Sequence, residues 1–154
     1  MFNQVNGLPV HVLVVHAAVV FVPLLALSGV LYALVPKLRA RLGWVVGLLA
    51  VGSPLTALAA MLSGSAFYDR KYAGVPEDAI ANVQQHASFG TRTFWFTLGL
   101  GVAAGLLVWL TSRRPLPRAA EAGLIVAVIA LAAVAGFYVF QTGDSGAQSV
   151  HGVS

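Results

Sequence analysis

The chain has 154 residues, 58% of them hydrophobic and 9% charged, with a mean hydropathy of +0.85. A soluble domain carries about 25% charged residues, so this composition belongs to integral membrane proteins. The absence of cysteine excludes disulfides, thiolate metal sites, iron–sulfur ligation and covalent c-type haem attachment. The net charge of +4 does not indicate nucleic acid, because the nine basic residues sit in short clusters between apolar runs.

Four such runs follow one another: about 8–35, 42–62, 93–111 and 119–141. The first holds no Asp, Glu, Lys or Arg in 28 positions. About 20 residues at about 1.5 Å each cross a hydrocarbon core of about 30 Å, so each run is a candidate span. The leading segment MFNQVNG lacks a basic n-region, and the run behind it is too long for a signal-peptide core, so the first run is expected to be retained. Open sheet edges are not tolerated in lipid and no period-2 alternation appears, which leaves helices. The expected fold is all-α: a single transmembrane domain built as an up-down four-helix bundle.

Pro9 stands where a first-turn proline is tolerated, whereas Pro23 and Pro54 fall inside their runs and are expected to kink them. Val75-Pro76-Glu77-Asp78 has the order of a helix N-terminus. The third helix should therefore start well before its apolar part and carry His86 outside the bilayer. Thr142-Gly143-Asp144-Ser145-Gly146 reads as a turn capping the fourth helix, since the lysine and following helix of a P-loop are missing.

The loops set an orientation. Lys37, Arg39 and Arg41 lie between spans 1 and 2, and Arg113, Arg114 and Arg118 between spans 3 and 4. The positive-inside rule places both loops in the cytoplasm, with both termini and the 63–92 connection outside. Trp44, Trp109 and Tyr32 then fall at the inner boundary, and Trp95 and Tyr138 at the outer one. A faint repeat accompanies this: His11 precedes Lys37 by 26 residues and His86 precedes Arg113 by 27. The two hairpins look like rough copies, which similar span lengths alone also produce.

All four histidines, His11, His16, His86 and His151, fall on the outer side. Imidazole is the commonest protein metal ligand and the usual axial ligand of b-type haem, and bundle cofactors are held by side chains on facing helices. Helices 1 and 3 lie diagonally in an up-down bundle, so His86 and one first-helix histidine have room for a flat macrocycle between them. His11 matches His86 in height, whereas His16 lies deeper. The two first-helix histidines point about 140° apart, so a single ion held by both requires a break in helix 1. Arg92, with Arg70 and Lys71, is placed to meet haem propionates or to snorkel to the interface. A histidine can also simply hydrogen-bond across helices, and His151 reads as a tail residue. Gly43-x-x-x-Gly47 and Gly101-x-x-x-Gly105 permit close helix contact, within the chain or in a homodimer. No nucleophile–base pair, carboxylate pair or acidic metal cluster is visible.

Gly7-Leu-Pro-Val-His11-Val-Leu-Val-Val-His16, the following Phe21-Val-Pro23, His86 in Gln84-Gln85-His86-Ala87-Ser88-Phe89-Gly90, and the closing Thr142–Ala147 segment carry a resemblance. They resemble a bacterial family of small four-helix membrane proteins of unknown function, with an HxxxxH first helix. The resemblance implies kinship with two-haem b-type, cytochrome b561-like bundles. Two features depart from it: Val12 stands where the family favours proline, and His151 where tryptophan is frequent. The resemblance implies a b-type haem and possible partnership with a Rieske-type or other redox protein. With no histidine on the cytoplasmic side, only one haem, near the outer face, is expected.

Three functions follow. The first is a haem b electron carrier in the bacterial cell membrane, a small subunit of a respiratory or quinol-linked complex, with His86 and His11 or His16 on the iron and Arg92 at the propionates. The second is a non-catalytic accessory subunit whose histidines are structural and which binds no cofactor. The third is a single copper or zinc ion held by His11, His16 and His86.

Overall fold

The computed structural model describes residues 4–5, 8–76, 80–113 and 115–151. Two short strands, β1 (Gln4–Val5) and β2 (Leu8–Pro9), pair antiparallel ahead of four long helices. These are α1 (Val10–Leu34), α2 (Arg39–Lys71), α3 (Ala81–Arg113) and α4 (Arg118–His151). All four are long and apolar enough to cross a membrane. α1 packs on α2 and α4, α3 packs on the same two, and α1 and α3 face each other across the diagonal. Cross-helix contacts run antiparallel throughout: Tyr32 near Gly43, Gly101 near Ala50, Gly29 near Val128. The architecture is the expected up-down four-helix bundle.

The core is a narrow stripe. Val22 and Leu25 of α1, Val46 of α2, Leu100 and Leu107 of α3, and Val128 and Ala135 of α4 are buried. Large apolar side chains such as Trp44, Leu48, Phe137 and Phe140 are exposed instead. This inside-out distribution suits a solvent of lipid tails, where apolar exposure carries no penalty.

α2 and α4 outrun the apolar stretches that announce them. α2 continues through 63–71, and α4 continues through 142–151. The segment expected to cap helix 4 as a turn is therefore helical. Its hydroxyls turn back onto their own helix, Thr142 Oγ1 donating to the Tyr138 carbonyl at 2.7 Å and Ser145 Oγ to Thr142 at 3.2 Å. Contacts to α3, among them Thr93 Oγ1 to Thr142 Oγ1 at 2.9 Å, hold it against the cost of two glycines, about 1 kcal/mol each. α2 ends where Tyr72 N–H reaches the Tyr68 carbonyl and Gly74 takes a positive φ of 80°. α3 begins at Ala81; the acids expected to open it, Glu77 and Asp78, lie outside the described residues.

Helices pass through both internal prolines. Pro54 cannot donate to the Ala50 carbonyl four residues back, and Gly101 of α3 approaches that carbonyl closely. The GxxxG expected to serve close packing does so within the chain here, since Gly105 also lies against Ala50.

At the end opposite the histidines one arginine ties three helices. Arg39 Nε and Nη2 donate to the Tyr32 and Ala33 carbonyls at 3.2 and 3.3 Å, satisfying the last turn of α1. Its Nη1 lies 2.7 Å from Glu121 Oε1 of α4. The Tyr32 hydroxyl and Thr111 Oγ1 add a 2.8 Å bond from α1 to α3. Arg39→Ala is expected to cost about 1–3 kcal/mol, the range for hydrogen bonds to a charged group. Glu121→Gln should cost only about 0.5 kcal/mol, because the ion pair is partly solvated. Denaturant unfolding of both variants in detergent checks the order.

Candidate functional site

His11 and His86 occupy the same end of the bundle, on the inward faces of the diagonal helices. Counting about 100° per residue, His11 falls in line with Ala18, Val22 and Leu25, all buried. His86 falls in line with Thr93, Thr97 and Ala104, also buried. His16 lies about 140° round α1 from His11 and is exposed. α1 runs unbroken through both positions, so the break that a shared ion needs is not present. Among the described residues no group of three or more His, Cys, Asp or Glu side chains is gathered to hold a metal.

The two half-buried imidazoles are held in the same way. His11 Nδ1 lies 3.0 Å from Ser63 Oγ on α2. His86 Nδ1 lies 3.2 Å from Ser145 Oγ on α4. In each case the next residue is a glycine under the ring. A Cβ on Gly64 would stand 3.0 Å from His11 Cε1, and a Cβ on Gly146 would stand 3.1 Å from His86 Cε1. An alanine at either position would make the ring give way by a few tenths of an ångström. Phe67, one turn beyond Ser63, stacks on His11 with ring centroids 6.3 Å apart.

With Nδ1 occupied, Nε2 is the nitrogen left to each ring for a ligand. One turn inward from His86, Gly90 lies about 20° from buried Thr97 on the helical wheel, so it also faces into the bundle. A Cβ on Gly90 would meet nothing within 4 Å among the described residues. The space beside Gly90, one turn from His86, is therefore open. Two imidazoles on opposite helices are the donor set that the axial positions of a haem call for.

The cations expected near propionates are placed differently. Arg92 is exposed and sits over the Tyr138 ring, 5.8 Å from its centroid. Arg70 Nε donates to the Ala66 carbonyl at 2.8 Å, and Lys71 sits over the Phe67 and Tyr72 rings. The side chain of His151 lies outside the described residues.

Ser63, Gly64, Ser145 and Gly146 are site residues that composition concealed, because Gly and Ser are loop signals. The available signal was a second repeat. The Ser-Gly pairs are 82 residues apart, beside histidines 75 apart.

No curated protein and no solved structure matches the chain. A family model described as "Predicted membrane protein (DUF2231)" matches residues 7–153. The chain therefore belongs to this family of four-helix membrane proteins.

Proposed function

We propose that the chain holds one b-type haem between His11 and His86 and serves as a small electron-carrying subunit of a respiratory or quinol-linked membrane complex. The matched seating of the two imidazoles, each with Nδ1 on a serine and its edge on a glycine, is the observation that carries this. Two donors fill the axial positions of a haem, whereas a lone zinc ion takes three or four protein ligands. When bound, the haem supplies reversible one-electron iron chemistry. The protein contributes two neutral imidazoles and a bundle that excludes bulk water. A six-coordinate iron has no open position for substrate, so the role is carriage rather than catalysis.

His11 lies 23 residues from Leu34, about 35 Å along α1, against a hydrocarbon thickness of about 30 Å. The pair thus stands at one edge of the bilayer. The basic residues 37–41 and 113–118 at the far end make the histidine side the outer one, with both termini out. Arg92 would offer its charge to a propionate by leaving the Tyr138 face.

The test is absorption spectroscopy of the protein purified in mild detergent and supplied with haem. A Soret band with sharp reduced α and β bands, at one haem per chain, is expected. A folded, colourless protein that takes up no haem overturns the proposal and leaves an accessory subunit.

A further inference from the structure

We propose that Ser63 and Ser145 are positioning residues that fix both imidazoles in the Nδ1–H tautomer, so that each Nε2 presents its lone pair to a ligand. The argument starts from the single proton of each hydroxyl. Ser63 Oγ donates to the Ala60 carbonyl at 3.1 Å, and Ser145 Oγ donates to the Thr142 carbonyl at 3.2 Å. Both carbonyls are three residues back on the same helix. With that proton spent, each Oγ has only lone pairs to offer the ring 3.0 or 3.2 Å away. The ring nitrogen facing it must then supply the hydrogen. Each serine oxygen thus makes an acceptor seat for Nδ1–H.

The same seat occurs twice, on α2 for His11 and on α4 for His86. The hydrogen bond raises the electron-donating strength of Nε2, as the outer partners of metal-bound histidines do. A protein that merely packed its histidines across helices has no need to commit both rings to one tautomer. The proposal rests on the haem reading only in its second readout.

The experiment uses the full-length protein, first without haem. Nitrogen-15 spectra of histidine-labelled protein in detergent are expected to show Nδ1 protonated and Nε2 bare in both His11 and His86. Ser63→Ala should move His11 toward a mixture of tautomers and leave His86 unchanged; Ser145→Ala should do the reverse. Ser63→Thr, which keeps a hydroxyl, should restore the wild-type pattern. On adding haem, each alanine variant should bind about 10–100-fold more weakly, with a reduction potential shifted upward because the ferric iron loses donor strength. Wild-type rings protonated at Nε2, or alanine variants with unchanged tautomers, overturn the positioning role. The expected tautomer pattern with no haem uptake supports that role and overturns the haem proposal instead.

Discussion

His86→Ala, purified and supplied with haem, is expected to lose the Soret and reduced α bands completely. The imidazole it removes is one of two donors on the inward faces, and neither neighbour replaces it. His16 projects about 140° from His11 and is exposed. Ser145 and Gly146, which support His86, carry no strong iron ligand. If a haem is held as proposed, one remaining imidazole would hold it only loosely. His11→Ala should behave the same way, because its seat on Ser63 and Gly64 is the counterpart of the other. His16→Ala should keep its haem. Circular dichroism of all three variants should retain the helical signal, since His11 and His86 each make one cross-helix hydrogen bond to a serine at the edge of the bundle. Retention of an unchanged spectrum by His86→Ala, or its loss in His16→Ala, contradicts the assignment.

Gly101→Ala is expected to destabilise the bundle by about 1–3 kcal/mol, the range for overpacking a close-packed contact. The added carbon would stand 2.5 Å from the Ala50 carbonyl oxygen and 3.0 Å from Pro54 Cγ. A backbone oxygen cannot step aside as a side chain can, so α2 and α3 must separate. The contact also has chemical content. Pro54 leaves the Ala50 carbonyl without its helical N–H, and the Cα–H of Gly101 is the group that approaches it. A weak C–H···O bond of about 0.5–1 kcal/mol partly compensates in an environment without water. Thr97, one turn away, is fully buried with its hydroxyl unpartnered. Gly123→Ala, where a Cβ meets nothing within 4 Å, should be neutral or slightly stabilising through helix propensity. Equal midpoints for the two variants in denaturant would show that the α2–α3 approach is not a constraint.

Much of the architecture was legible because lipid imposes few solutions. Runs almost free of charge, with basic clusters between spans 1 and 2 and between spans 3 and 4, fix four helices and their alternation without reference to packing. The divergence of His11 and His16 was legible from helix periodicity alone. The positions of 63–71 and 142–151 were not. Ser, Gly, Asp and Thr there satisfy every local rule for a turn, and hydropathy falls away as the helices leave the apolar layer. What keeps them helical is non-local: Thr142 on Thr93, Ser145 on His86, Ser63 on His11. The same contacts build the site, so reading those segments as loop hid its second half. The short β1–β2 pairing escaped for a simpler reason, since two residues carry no periodicity.

The most direct test is electron paramagnetic resonance of the oxidised, haem-loaded protein. Two neutral imidazoles from α1 and α3 on one iron give a low-spin ferric signal of the bis-histidine type, present in the wild type and in His16→Ala and absent from His11→Ala and His86→Ala. A high-spin signal, or a low-spin signal that survives loss of either inward histidine, would contradict a haem held across the diagonal of the bundle.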